Sequence, residues 1–377
     1  MAQDDQRATA QAGWAAWQRG DIATARALFE EVAAAGVATP ALWLLLAQAR
    51  IASGAEDLAD QALDHVLAME PRNVAALILK GDRAADDRAA TSYYQLAVAQ
   101  GQGAQAADPA TKALISQAQA KLAQMAERFA THLRATMAAH PAGARFDEAV
   151  ALVLGEKQLY FQSPTSFFFP GLPHRQFFPT AEFDWAADVM AATDDIEAEL
   201  RAVLKEGSGL SPYVRADRTR ANRGHALLDD PRWSAFHLIE NGDPVPNATD
   251  RFPRTLEALA KVPMPVVAAR SPMALFSVLQ PGTHIPPHTG MLNTRLICHL
   301  PLIVPPDCTL RVGNQVEPVE RGKLMIFDDS IEHEAWNRSD ATRVVLLFEV
   351  WRPELSADER AALKILFESV GLYAGGQ

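Results

Sequence analysis

The sequence has few cysteines, no excess of positive charge and no long apolar run, and each absence excludes a class of protein. Its two cysteines, Cys298 and Cys308, are too few for a disulfide framework, and no Cys-x-x-Cys motif indicates a zinc or redox site. The formal net charge of -11 argues against nucleic acid as a partner, because nucleic acid requires a basic surface. No stretch approaches the roughly 18 apolar residues of a transmembrane helix, and the polar residues 1–9 do not resemble a signal peptide. We therefore predict a cytoplasmic protein with no integral membrane association.

Proline is also rare in the first 140 residues, which are rich in alanine, leucine and glutamine. This composition favours helices. From about Ser163 onward the sequence changes to proline, phenylalanine, glycine and short β-branched runs. The segment Ala139–Gly143, which contains Pro141, marks the change. We predict a helical domain over residues 1–140 and a second domain over residues 141–377.

The helical domain contains an internal repeat of about 34 residues, the length of a tetratricopeptide (TPR) repeat. Small residues recur where paired helices would cross, and large residues recur between them. The aligned sets are Gly13, Ala25, Phe29 and Val32; Ala47, Ala59, Leu63 and Val66; and Gly81, Ala90, Tyr94 and Ala97. The pattern resembles a TPR solenoid, and a generic antiparallel helical bundle is the alternative. Because single repeats cannot bury their apolar faces alone, the copies must stack, and we expect them to offer a surface for a protein or peptide.

The second domain contains short, closely spaced strands separated by turn signals such as Pro281-Gly282 and Gly313-Asn314. This spacing predicts a double-stranded β-helix, also called a jelly roll. The predicted strands are Ala274–Leu279, Arg295–Val304, Thr309–Val312, Lys323–Phe327 and Arg343–Trp351.

Four of the ten histidines fall within this strand-rich region, and two of them, His288 and His333, lie beside strand ends. Imidazole suits iron, zinc, copper or nickel, and a jelly roll can bring two strand ends to one metal. Two histidines alone do not distinguish a metal site from buried or solvated histidines. Arg343 favours a ligand site, because a guanidinium directed into a barrel requires an anionic partner. A dicarboxylate such as 2-oxoglutarate would supply one.

The strand that begins at Arg295 adds a second indication. Residues alternate between the two faces of a strand, so Arg295, Ile297 and His299 share one face. His299 is either a core histidine or, together with Arg343, a contact of an anionic ligand.

Specific motifs between Ser271 and Leu355 resemble the catalytic core of the aspartyl/asparaginyl β-hydroxylase family. Weaker similarity extends back to Gln158. The motifs are Gln280–His284, Pro287–Gly290, Asn293–Leu296, Gly322–Ser330, Glu332–Asn337 and Trp351–Leu355. Members of this family with TPR-like helices before the catalytic domain also occur, so the resemblance implies a similar overall architecture.

The resemblance implies a role for several residues. His288 and His333 match the iron ligands, and Gly290 stands where related oxygenases carry a third, carboxylate ligand; members of this family are similar in managing with two histidines. Arg343 and His299 match residues that hold 2-oxoglutarate, with Ser277 assisting. We interpret Asp328 and Asp329 as turn residues or residues that support the ligands; direct ligation is the alternative. Arg295 matches a substrate-binding arginine, whereas Ile297 departs from the second arginine of peptide-hydroxylating members.

The resemblance thus implies an Fe(II)- and 2-oxoglutarate-dependent dioxygenase. Such an enzyme uses O2 to hydroxylate its substrate while 2-oxoglutarate is converted to succinate. The implied substrate is an Asp/Asn-like or other residue of a protein or peptide. A small molecule, free amino acid or lipid is the first alternative, and a non-catalytic scaffolding protein is the second.

Overall fold

The computed structural model describes residues 2–102, 108–206, 209–216, 224 and 226–374. The chain divides after Val150 into two compact units. This division falls within a helix that follows the boundary predicted at residue 140. Within the described residues, no helix is both long enough and apolar enough to span a membrane.

The first unit consists of consecutive helices that pack as antiparallel neighbours. Their starts carry the expected caps; for example, Thr39 accepts a hydrogen bond from the backbone N–H of Leu42, and Pro40 follows it. The helices are α1 (Ala2–Gln18), α2 (Ile22–Ala34), α3 (Pro40–Ala52), α4 (Glu56–Met69), α5 (Val74–Asp82), α6 (Asp87–Gln102), α7 (Pro109–Ala138) and α8 (Ala144–Val153).

The repeated small residues lie where paired helices approach each other. A Cβ atom on Gly13 would lie 2.7 Å from the ring of Phe29, and one on Gly81 would lie 2.6 Å from the ring of Tyr94. Both distances are shorter than van der Waals contact, so only glycine permits the close approach of the two helices. The contacts match the repeat read from the sequence, and the predicted TPR-like solenoid is confirmed.

The second unit is rich in antiparallel strands. Its strands are β1 (Phe177–Phe178), β2 (Ser211–Pro212), β3 (Trp233–Glu240), β4 (Asp243–Pro244), β5 (Ala274–Leu279), β6 (Thr283–His288), β7 (Arg295–Ile303), β8 (Cys308–Val312), β9 (Gln315–Pro318), β10 (Met325–Phe327), β11 (His333–Asn337) and β12 (Arg343–Trp351). Its helices are α9 (Ala186–Ala191), α10 (Thr193–Glu206), α11 (Ala248–Arg251), α12 (Pro253–Leu259) and α13 (Ala357–Ala374).

The strands form two sheets. The larger has the order β1-β10-β7-β12-β5-β3-β2, with β4 beside β3, and the smaller has the order β6-β11-β8-β9. Alternate residues of β5, β7 and β12 pack beneath α9, α10 and α12, whereas the residues between them face a core shared with the smaller sheet. We call this second side the interior face. The predicted jelly roll is confirmed.

A buried ion pair ties the N-terminal segment of this unit to the sheets. Asp328 and Arg352 are both 0% exposed and lie 2.6 Å apart. The Asp328 carboxylate also accepts a hydrogen bond from Gln162 Nε2 at 2.7 Å, and Arg352 donates to the carbonyl of Pro173 at 2.9 Å. Burial raises the pKa of Asp328, although Ser330 and Arg352 oppose that shift. Both charges are therefore compensated within the fold.

We expect Arg352→Ala to destabilise the protein by roughly 3–5 kcal/mol, because it leaves the Asp328 carboxylate buried without its cation. Urea denaturation of the variant and of wild type would measure the free energy of unfolding. Arg338→Ala, which removes an exposed arginine, is the control and should change stability by less than about 0.5 kcal/mol. Equal stability of Arg352→Ala and wild type would contradict this role.

Candidate active site

His288 and His333 lie opposite each other at the edge of the smaller sheet. His288 ends β6, His333 begins β11, and the two residues are direct partners in the antiparallel register. Their ring centroids are 4.1 Å apart with an interplanar angle of 51°. The fold therefore brings together the two histidines that the sequence predicts as ligands.

The hydrogen bonds of both rings favour the same tautomer. Nδ1 of His288 lies 2.8 Å from the carbonyl of Pro286, and Nδ1 of His333 lies 3.1 Å from the carbonyl of Ile331. Since a carbonyl only accepts, each Nδ1 carries the proton and each Nε2 keeps its lone pair, the form that binds a metal. Burial, assisted by the nearby His288, lowers the pKa of His333 to about 3. His333 is therefore neutral at physiological pH.

The described residues contain no group of three or more His, Cys, Asp or Glu side chains arranged to hold a metal. Among these residues, His288 and His333 are thus the two candidate ligands that the fold brings together. Gly290, which stands where related oxygenases carry a carboxylate ligand, has little space beside it. A Cβ atom there would overlap the carboxylate of Asp329, which is 5% exposed. Burial raises the pKa of Asp329 to about 7. A side chain at position 290 would thus have to displace the Asp329 carboxylate.

We expect neither Gly290→Asp nor Gly290→Ala to improve activity or iron binding. Either side chain must displace Asp329, and the aspartate also places a second carboxylate beside it. Iron titration and a turnover assay of both variants would measure the effect. Gly282→Ala is not a suitable control for this experiment, because Gly282 has a positive φ of 64° and an alanine there would strain the backbone. Higher activity of Gly290→Asp at equal iron occupancy would contradict this interpretation.

Arg343 is a buried cation with unsatisfied donors. It begins β12 on the interior face and is 2% exposed. Its Nε and Nη2 atoms have no hydrogen-bond partner among the described residues. Burial lowers its pKa to about 10, so it remains charged at neutral pH. An unpaired buried guanidinium is costly, and a bound anion would compensate it.

His299 and Ser277 lie on the same interior face as Arg343. In the register, Ser277 is opposite Val345 and His299 is opposite Leu347. His299 is 8% exposed, its Nδ1 has no partner among the described residues, and burial together with Arg343 lowers its pKa well below the usual value. A neutral imidazole, a hydroxyl and a guanidinium thus surround one part of the interior.

Trp233 is a contributor that the sequence motifs do not assign to the site. Its indole N–H donates to the hydroxyl of Ser277 at 3.1 Å, and its ring stacks on Tyr213 at 4.1 Å. Because the Ser277 oxygen accepts from Trp233, the serine hydroxyl hydrogen can be donated elsewhere. The signal in the sequence is weak, since Trp233 begins a strand 44 residues before Ser277.

Arg295 lies on the interior face, as predicted, but its charge is already paired. Its guanidinium forms an ion pair with Glu349, and Nη2 lies 3.6 Å from Asp329. Burial opposes ionisation, yet Glu349 and Asp329 together raise the pKa of Arg295 above its usual value. The predicted contact of Arg295 with substrate would therefore have to include its two acidic partners.

The site fits Fe(II) and 2-oxoglutarate on two grounds. The imidazoles of His288 and His333, each with Nδ1 beside a backbone carbonyl, offer Nε2 donors of the type that iron accepts. The unsatisfied Nε and Nη2 atoms of Arg343 match a carboxylate.

Comparison with known proteins matches the part of the chain that contains this site. The aspartyl/asparaginyl β-hydroxylase family matches residues 190–353. The chain is 36% identical over 169 residues to human aspartyl/asparaginyl beta-hydroxylase, covering 45% of this chain and 21% of that protein. It is 37% identical over 179 residues to ornithine lipid ester-linked acyl 2-hydroxylase of Rhizobium tropici, covering 47% and 60%. It is 31% identical over 211 residues to human aspartate beta-hydroxylase domain-containing protein 2, covering 55% of each.

The chain therefore spans less than two thirds of the length of these relatives. The matched region contains all six residues predicted for the site, from Ser277 to Arg343. Residues 190–353 of the β-rich unit are thus similar to the aspartyl/asparaginyl β-hydroxylase family.

Proposed function

We propose that this protein is an Fe(II)- and 2-oxoglutarate-dependent hydroxylase. The observation that carries the proposal is the buried guanidinium of Arg343, whose Nε and Nη2 atoms have no partner among the described residues. It lies on the interior face of the larger sheet, which packs against the smaller sheet that carries His288 and His333. A fold that keeps an unpaired charge in its interior loses stability unless a ligand compensates it. A dicarboxylate bound at the metal would do so.

In this proposal His288 and His333 hold the iron through Nε2. Arg343 binds the distal carboxylate of 2-oxoglutarate, and Ser277 donates its hydroxyl hydrogen to the same carboxylate while Trp233 fixes the serine oxygen. His299 lines the cosubstrate site as a neutral group. When bound, iron with O2 and 2-oxoglutarate supplies the oxidising power for C–H hydroxylation, and 2-oxoglutarate leaves as succinate and CO2.

The closed interior serves this chemistry because it keeps water away. The larger and smaller sheets enclose the residues between them, and Arg343, His299 and His333 are each less than 10% exposed. In such a site electrostatic contacts act with little screening, which strengthens both binding and orientation of the cosubstrate.

The test combines a cosubstrate assay with a search for product. We expect the protein with Fe(II), ascorbate and 2-oxoglutarate to release succinate, and a peptide and metabolite panel analysed by mass spectrometry to contain a product heavier by one oxygen atom. Calorimetry should show 2-oxoglutarate binding to the protein loaded with Zn(II), which binds without turnover. Absence of 2-oxoglutarate binding in that titration would reject the proposal.

The first candidate substrate is an Asp/Asn-like or other residue of a protein or peptide. The family name and the human relative support it. We propose that the TPR-like unit recruits such a partner and that the protein acts in the cytoplasm. The recruitment part is tested by comparing peptide capture by the full chain before and after surface substitutions on α3 and α5.

The second candidate substrate is a lipid or another small molecule. Two observations favour it: Arg295 is paired with Glu349 rather than left for a substrate anion, and Ile297 is a buried apolar residue on the same face. The relative from Rhizobium tropici, which hydroxylates a lipid acyl chain by name, adds support.

A further inference from the structure

Trp233 places an oxidisable ring beside the candidate metal ligands. Its ring centroid lies 6.2 Å from that of His288, and its side chain belongs to the core on the interior face. The residue is 6% exposed, so the indole is largely shielded from solvent. Among the aromatic side chains, tryptophan has the ring with the most electron-rich face. The side chain beside a metal ligand is thus also one that is readily oxidised.

Contacts at the N–H group and at the ring hold the indole of Trp233 in this position. The N–H group donates to the Ser277 hydroxyl at 3.1 Å. The ring stacks on Tyr213, with centroids 4.1 Å apart and an interplanar angle of 8°. The backbone N–H of Tyr213 donates in turn to the carbonyl of Trp233 at 2.9 Å, so both rings of the stack are fixed to one strand. The indole therefore cannot turn away from the site without breaking these contacts.

The hydrogen bond to Ser277 also places the indole next to the proposed cosubstrate. This inference rests on the proposed function, in which Ser277 and Arg343 bind the distal carboxylate of 2-oxoglutarate. The indole of Trp233 thus lies near a group that holds the metal and bonds to a group that holds the cosubstrate. A group held at a fixed short distance reacts as if it were present at very high concentration. When no substrate is bound, the indole is well placed to be oxidised instead.

The ring of Phe327 is the main alternative. Phe327 is 1% exposed, and its ring centroid lies 5.5 Å from that of His333 and 5.0 Å from that of His299. Its phenyl ring is less electron-rich than an indole, and it has no polar atom that could bond to Ser277. Electron density and orientation therefore favour Trp233 over Phe327.

We propose that Trp233 is a site of self-hydroxylation, modified by the protein's own active site when Fe(II), O2 and 2-oxoglutarate are bound without substrate. One C–H bond of the indole becomes C–OH. One oxygen atom of O2 enters that hydroxyl group, the other enters succinate, and 2-oxoglutarate supplies the remaining two electrons as it loses CO2. Trp233 takes the place of the substrate in this reaction, so each event modifies one active site.

Peptide mapping of the full chain tests the proposal. The protein is incubated with Fe(II), 2-oxoglutarate and isotopically labelled O2, with catalase present to remove hydrogen peroxide, and is then digested for mass spectrometry. We expect the peptide with Trp233 to gain one labelled oxygen atom at least about 10-fold more often than the peptides with Trp185 or Trp336. Replacing Fe(II) with Zn(II), or omitting 2-oxoglutarate, should abolish the gain.

Other side chains of the same molecule serve as controls. Trp185 is 9% exposed, similar to Trp233, but it belongs to the core on the opposite side of the larger sheet. Trp336 lies on β11, which also begins with a candidate ligand, but it stacks on His284 on the other side of that strand. Met291 is 52% exposed and reports diffusible oxidants, which attack accessible side chains first.

The distribution of the labelled oxygen decides the outcome. Oxidation that follows exposure, with Met291 modified more often than Trp233, would overturn the proposal, and so would modification of Phe327 or Tyr213 in place of Trp233. If the protein releases succinate while Trp233 stays unmodified, only this inference fails. If the protein neither binds 2-oxoglutarate nor releases succinate, the proposed function fails, and this inference fails with it.

Discussion

Replacing His333 with alanine is expected to abolish iron binding and turnover while the protein remains folded. The reason is the number of donors: the described residues offer His288 and His333 without a third protein ligand, so a single loss leaves one nitrogen to hold the metal. Iron stoichiometry after desalting and the rate of succinate release would measure the effect. Circular dichroism and thermal melting would show that the fold is retained.

His284→Ala provides the matched control. His284 lies on the same strand as His288, is 42% exposed by its side chain, and stacks on Trp336 instead of meeting His333. Its replacement should leave iron stoichiometry unchanged. Near-normal activity and one equivalent of iron in His333→Ala would show that the ligand assignment is wrong.

Arg343→Ala is expected to weaken 2-oxoglutarate binding sharply. Losing a charge-assisted pair in a site shielded from water costs roughly 2–5 kcal/mol, or about 30- to 4000-fold in affinity. Lysine should rescue only partly, since it supplies charge without the planar, forked guanidinium. Iron affinity without cosubstrate should change little, because Arg343 is not a proposed ligand.

The unsatisfied donors of Arg343 also lead us to expect that removing its charge raises the stability of the protein without cosubstrate, although it weakens cosubstrate binding. Arg343→Met should melt at a higher temperature than wild type when 2-oxoglutarate is absent, because it removes a buried charge whose Nε and Nη2 donors have no partner in the described part of the chain. With saturating 2-oxoglutarate, wild type should gain stability and the variant should not. Titrations of iron and 2-oxoglutarate with Arg338→Ala as control complete the test. Unchanged 2-oxoglutarate affinity in Arg343→Ala would refute the carboxylate contact.

The sequence predicts the parts of the site that depend on strand ends and alternation. His288 and His333 could be placed because each lies beside a recognisable turn, and Arg295 and His299 could be placed on one face because side chains alternate along a strand. The repeat of small and large residues likewise predicted small residues where paired helices cross, and the structure places Gly13 against the ring of Phe29.

The contacts of the site that the sequence does not predict depend on pairings between distant segments of the chain. Glu349 lies 54 residues after Arg295, and nothing in either segment alone indicates that the two side chains meet. The same holds for Gly290 and Asp329, which come together because the turn before β11 packs against the end of β6. Electrostatic state is therefore harder to predict than residue identity, since a charge is free or paired only after the whole sheet has formed.

The ion pair between Asp328 and Arg352 also limits how far the β-rich unit can be truncated at its N-terminal end. The family match begins at residue 190, yet Gln162 and the carbonyl of Pro173 lie before that point and complete the shell of this ion pair. A fragment trimmed to the match would uncover the Asp328–Arg352 ion pair and leave one edge of β10 without β1, while its pairing with β7 would remain. Recombinant fragments should therefore start before Gln158, whose backbone N–H and carbonyl are bonded to the side chain of Asn314, in the turn between β8 and β9.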